Sequence, residues 1–114
     1  MVARDTWGLY ATLTYRHPPA QARADRQVRD WLRILLPLRP DLRAYVASGR
    51  QGRGALHHHI LVNVDVGQRQ CARIAKLWRA GNADVQVVRS ALDVALYLRE
   101  DRHDDFDLIV AQEL

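Results

Sequence analysis

The chain has one cysteine (Cys71), one lysine (Lys76), one phenylalanine and little glycine or proline, six and four residues of 114. A lone cysteine excludes an internal disulfide and any zinc knuckle built on paired thiolates. No run of about eighteen uncharged apolar residues occurs, so no membrane-spanning helix is expected. The first residues, MVARDTW, carry Asp5 and no apolar core of the secretory kind. A cytoplasmic location without a membrane partner is the resulting expectation. Collagen-like and low-complexity compositions are excluded by the glycine and proline counts, and no internal repeat is present. Acidic residues are scarce over most of the chain. Residues 1–99 hold sixteen basic groups against seven acidic ones, whereas residues 100–114 hold one against six. The net charge of +4 is therefore a +9 body joined to a −5 tail. Because all but one of the basic groups are arginines, the body suits a polyanion whose oxygens accept from a guanidinium fork. A plain solvated basic surface is the other reading.

What is present is a globular composition, 48% hydrophobic, at a length expected for one domain over 1–114, with 101–114 as a possible acidic tail. Alternation in GLYATLTY predicts a strand over 8–15, with Leu9, Ala11, Leu13 and Tyr15 on one face and Tyr10, Thr12 and Thr14 on the other. Helical periodicity over 21–36 places Val28, Trp31, Leu32, Leu35 and Leu36 on one side, and Pro37 and Pro40 end it. Strands are predicted at 42–48 and 56–64, joined by the loop GRQGRG at 49–54. A second helix over 68–80, a strand over 84–88 and a helix over 91–100 capped by Ser90 follow. FDLIV at 106–110 reads as an edge strand or an apolar tail. The order β-α-β-β-α-β-α predicts an α+β fold, a single antiparallel sheet with helices on one face and the other face left open. Trp31 and Trp78 fall on apolar stripes, and Trp7 is placed to stack on a base.

Within the third strand, LHHHILVN carries three consecutive histidines. Period-two geometry sets His57 and His59 side by side on the open face and turns His58 the other way. Two imidazoles so placed can converge on a borderline ion such as Mn²⁺, Co²⁺ or Zn²⁺, although two ligands leave a third to be found. Three polar residues near a sheet edge are the plainer reading. Tyr97 lies in the last predicted helix, in line with Asp93 and Glu100. A tyrosine oxygen there is a nucleophile candidate, or simply a packing residue.

Taken together, these segments resemble the replication-initiator (Rep) branch of the HUH endonucleases, the single-strand DNA nicking enzymes of phages, plasmids and related mobile elements. LYATLTY at 9–15 is similar to the family's first motif, GRQGRGALHHHILVN at 49–63 to the second, and LDVALYLRE at 92–100 to the third. KLWRAGNADVQVV at 76–88 is similar to the stretch between the last two, so the likeness spans roughly residues 7–100. The resemblance implies a ferredoxin-like core and a divalent metal, Mn²⁺ or Mg²⁺, on His57 and His59. It also implies Tyr97 as the nucleophile that nicks single-stranded or hairpin origin DNA through a 5′-phosphotyrosine. A host or element-encoded replication helicase is an implied partner. Thr12 and Thr14 would line the floor of the site. The chain departs from the family pattern at two positions. Gly49 stands where a carboxylate often precedes the histidine pair, and Glu100 stands where a lysine usually follows the tyrosine. Glu100 is accordingly a candidate third ligand. The alternative is a catalytically degenerate DNA-binding or regulatory protein of the same fold. Arg50 and Arg53 in the glycine loop, and Arg16 at the end of the first strand, are the expected phosphate contacts. The acidic tail is expected either to lie away from the DNA or to compete with it, so that deleting 101–114 would tighten binding.

Overall fold

The computed structural model describes residues 7–17, 19–51, 55–90 and 105–114. Alternating β-branched and small residues build five strands: β1 (Leu9–Thr14), β2 (Arg43–Gln51), β3 (Ala55–Val62), β4 (Ala83–Val87) and β5 (Asp105–Val110). Two amphipathic stretches build α1 (Gln21–Arg33) and α2 (Gln68–Lys76). The strands form one antiparallel sheet in the order β4-β1-β3-β2-β5. Its first four members, with α1 between β1 and β2 and α2 between β3 and β4, have the split β-α-β arrangement of ferredoxin-like folds.

The two faces of the sheet have different work. Leu9, Ala11, Leu13, Val46, Ile60 and Val62 meet Val28, Trp31 and Leu32 of α1, Cys71 and Ile74 of α2, and Trp78 just beyond it, in the main core. Trp31 and Trp78 are core residues, as their helical stripes predict. Each also satisfies its indole N–H, Trp31 at the Ile74 carbonyl (3.1 Å) and Trp78 at the Thr14 carbonyl (2.9 Å). That second bond ties the end of β1 to the segment after α2. Gly81 lies in the same junction, where a Cβ would run into the Thr14 carbonyl oxygen and reach within 2.7 Å of Tyr15 Cα.

Several boundaries differ from expectation. Both helices are shorter, α1 ending at Arg33 and α2 at Lys76. Leu36–Leu38 instead forms a 3₁₀ turn that accommodates Pro37, whose ring and missing N–H oppose helix continuation. The second strand is longer. It runs through Gly49 and Arg50 to Gln51, so these residues pair with His57, Leu56 and Ala55 rather than lying in a loop. FDLIV lies within a true strand, paired along β2 from Arg43–Val110 to Ser48–Asp105 and anchored by the buried Ile109. The predicted helix over 91–100 lies outside the described residues.

The second face is not open at its centre. Tyr10, His57, His59 and Leu61 are all buried, and Trp7 joins Tyr10 and Leu61 in a separate apolar cluster flanked by Tyr45 and Val88. Trp7 is therefore a packing residue, and the expectation that it stacks on a base is overturned by its burial. Among the described residues, no helix is long and apolar enough to cross a membrane.

Candidate functional site

The register of β1, β3 and β2 sets the candidate site in successive rungs. Thr14, His57 and Gly49 lie opposite one another in one rung; Thr12, His59 and Ala47 in the next; Tyr10, Leu61 and Tyr45 in the third. Directly opposed residues of an antiparallel pair share a face. The two histidines thus stand on the central strand with threonines on one side and the smallest residues, Gly49 and Ala47, on the other. Their rings are 5.1 Å apart, centre to centre, and nearly perpendicular. Both are buried despite being polar.

His59 is held from β1. The Tyr10 hydroxyl hydrogen-bonds its Nδ1, with the two rings stacked, and Thr12 Oγ1 lies 3.4 Å from the same nitrogen. Tyr10 is a residue that strand alternation places on the right face, but its partnership with His59 depends on non-local register, which a local pattern does not carry. Thr14 donates instead to the Asn82 carbonyl, at 3.3 Å.

His58 occupies the opposite face, as alternation predicts, and sits in a polar chain of its own. Its Nδ1 is 2.7 Å from Ser48 Oγ and its Nε2 is 2.7 Å from the Tyr15 hydroxyl. Burial, with the neighbouring His57 and His59 adding to it and Asp25 opposing, lowers its pKa to about 4. Burial, reinforced by Asp25, pushes the Tyr15 phenol well above its ordinary value.

The chemistry of the donor set fits part of a metal site. Two neutral imidazoles on one side of one strand are suited to a borderline or hard divalent ion. With Nδ1 of His59 engaged by Tyr10, Nε2 is the nitrogen such an ion would take. Among the described residues, no group of three or more His, Cys, Asp or Glu side chains is gathered closely enough to hold an ion. Asp84 stands on the same face in the rung of Thr12 and His59, but it is exposed and accepts a hydrogen bond from Gln86 at 3.0 Å. Tyr97, Glu100 and Arg53 lie outside the described residues, and Arg50 is placed only as a β2 residue opposite Leu56.

Arg16 is exposed just beyond β1 and lines a cavity of about 410 Å³ with His17, Arg23 and Arg79, in which no carboxylate takes part. Arg69, Arg73 and Lys76 are exposed along α2. The acidic groups that are described near the end of the chain go elsewhere. Asp107 lines a cavity of about 360 Å³ with Ser48, His58 and Asp25 on the helix face, and Glu113 pairs with Arg29 of α1 at 4.0 Å.

A ferredoxin-like sheet that carries a buried histidine pair on the face away from its helices is the framework expected of a Rep-type replication protein. The family model of the ORF2-type replication-associated proteins matches residues 8–102, and the chain belongs to that family. No curated protein and no solved structure matches the chain. Family membership supports a role in DNA replication and is compatible with nuclease activity.

Proposed function

We propose that this protein initiates replication by nicking and rejoining single-stranded DNA with the aid of a divalent metal, through a tyrosine nucleophile. The observation that carries the reading is the placement of His57 and His59 side by side on one sheet face, within a chain of the replication-associated family. His57 and His59 would hold the ion, and Glu100 is the chain's candidate for a third ligand. The chemistry that Mn²⁺ or Mg²⁺ supplies when bound is polarisation of a non-bridging phosphate oxygen.

Tyr97 attacks the scissile phosphorus. The bond from its oxygen to phosphorus forms as the bond to the 3′ oxygen breaks, which leaves a 5′-phosphotyrosine and a free 3′-OH. Attack of a 3′-OH on that linkage reverses the exchange and releases the tyrosine. The arginine-rich body, Arg16, Arg50 and Arg53 foremost, would hold the flanking phosphates, and Thr12 and Thr14 would line the floor beside the histidines. A replication helicase would unwind the duplex beyond the nick.

A second reading, a DNA-binding or regulatory protein without nicking activity, is favoured by one observation. Gly49 lies directly opposite His57 and offers no carboxylate at the position where the resemblance would place one. Incubation with a pool of single-stranded and hairpin oligonucleotides and Mn²⁺, followed by denaturing electrophoresis, separates the two. A slowly migrating covalent adduct that disappears in Tyr97→Phe is the expected result. DNA binding without an adduct would establish the second reading instead.

A further inference from the structure

The largest exposed aromatic among the described residues is Phe106, 51% exposed, with Leu108 beside it at 43%. Both belong to β5, the outermost described strand on the β2 side. Phe106 is paired with Ala47 and Leu108 with Tyr45, and Ala47 is paired in turn with His59. Phe106 therefore shares the face and the rung of His59, with only the methyl of Ala47 between them. Two strand spacings set the backbones about 10 Å apart. Ala47 and Gly49 make the floor low between the histidines and Phe106. Tyr45 lies against Phe106, ring centres 5.8 Å apart and tilted by 36°. Burial of the apolar cluster at the centre of this face leaves the β5 margin as its accessible aromatic surface.

We infer that Phe106, supported by Tyr45 and Leu108, is a stacking platform for a nucleobase of the single strand bound at the His57/His59 site. This rests on the nucleic-acid reading above and extends it from the phosphate to a base. Every base has a flat π-face, so an exposed phenyl ring beside a basic body holds single strands without reading their sequence. Charge is sorted to suit. Asp107 lines the helix-face cavity and Glu113 is paired with Arg29, so neither carboxylate borders the platform. A second copy of the chain is the poorer occupant. β5 is only six residues long and carries Asp105 and Asp107, and charged residues on a short edge strand oppose strand addition.

The test uses the whole protein with oligonucleotides of single-stranded DNA containing 2-aminopurine, without metal, by anisotropy and by fluorescence quenching. Phe106→Ala is expected to weaken binding by roughly 5- to 100-fold and to abolish the quenching. Phe106→Trp is expected to retain both. The salt dependence should be the same in all three proteins, since no phosphate contact is removed. The exposure of Phe106 makes its truncation tolerable to the fold, and an unchanged thermal midpoint checks this. Unchanged affinity and quenching in Phe106→Ala would overturn the platform, while a Tyr97-dependent adduct would leave the nicking reading standing. Quenching lost in Phe106→Ala without any adduct would uphold the platform and remove the nicking. A wild-type dimer in sedimentation that dissociates in Phe106→Ala, with DNA binding unaltered, would assign the patch to a second copy and overturn the inference.

Discussion

The Tyr10 hydroxyl and Nδ1 of His59 are hydrogen-bonded across β1 and β3, buried beneath the face on which the histidine pair stands. When Nε2 takes a metal, Nδ1 must keep its proton, so the imidazole donates and the tyrosine oxygen accepts. The bond then fixes both the tautomer and the orientation of the ring. Partners of this kind are worth about 10- to 100-fold in metal affinity. Tyr10→Phe is therefore expected to weaken Mn²⁺ binding by that factor in calorimetry while leaving the fold intact. Thr12→Val, which removes only a 3.4 Å contact, should have a smaller effect. Equal affinity in Tyr10→Phe and wild type would show that the hydroxyl does not orient the ligand.

His58 makes the opposite use of the same chemistry. Both its nitrogens are engaged, by Ser48 and Tyr15, and burial holds its pKa near about 4, against an ordinary 6.5. Asp25, Arg29 and Asp107 line the cavity beside it, and His57 and His59 lie on the other face. In the unfolded chain His58 takes up a proton as pH falls through 6.5, whereas in the fold it does so only near about 4. The unfolded state thus binds more protons between those values, and stability falls as pH is lowered across that window. The contribution is about 2 kcal/mol between pH 7 and pH 5. Urea titrations of the metal-free protein at the two pH values should show that loss, and His58→Gln should reduce it. A His58→Gln protein with the same pH dependence as wild type would assign the loss to other groups.

The contrast between His58 and its neighbours also shows what could be read without a structure. Strand alternation alone placed His57 and His59 on one face and His58 on the other, and it sorted β1 correctly into a core face and a site face. Local signals were weaker where tertiary pairing decides. The glycines at 49 and 52 suggested a loop, yet pairing with β3 carries β2 through Gly49 and Arg50 to Gln51. FDLIV was ambiguous until its register with β2 made it a strand, and only that register brings Phe106 into the rung of His59. Trp7 looked available because nothing in the sequence indicates that it packs on Tyr10 and Leu61. The roles assigned to Tyr97, Glu100 and Arg53 rest on sequence, because these residues lie outside the described part of the chain.

Phosphate contacts should separate the exposed arginines. Arg16, Arg23 and Arg79 share a cavity lined by no carboxylate, whereas Arg69 is exposed on the outer side of α2. Each phosphate neutralised on a single strand contributes about 0.7 to the slope of log affinity against log salt. Arg16→Ala is expected to lower the slope by about that amount and to weaken binding evenly across sequences. Arg69→Ala should change neither. Identical slopes for wild type and Arg16→Ala would remove Arg16 from the DNA path.

The acidic end of the chain is part of the fold, and this alters how its charge must be tested. Ile109 is buried in the main core, β5 pairs along β2, and Arg33 donates to the Leu114 carbonyl at 2.6 Å. Deleting 101–114 would remove a sheet strand together with the charges, so a change in DNA affinity could not be assigned to electrostatics. Ile109→Ala alone should cost about 2–5 kcal/mol in a denaturant titration, as expected for a buried aliphatic truncated to a methyl. The charges are better tested singly. Asp107 faces the helix-side cavity and Glu113 pairs with Arg29, both away from the histidine face. Neutralising them, as Asp107→Asn and Glu113→Gln, should therefore leave the dissociation constant for single-stranded DNA within about twofold at moderate salt, where a Debye length is about 10 Å. A tenfold gain in affinity from either substitution would mean that these carboxylates compete with the bound strand for the basic body.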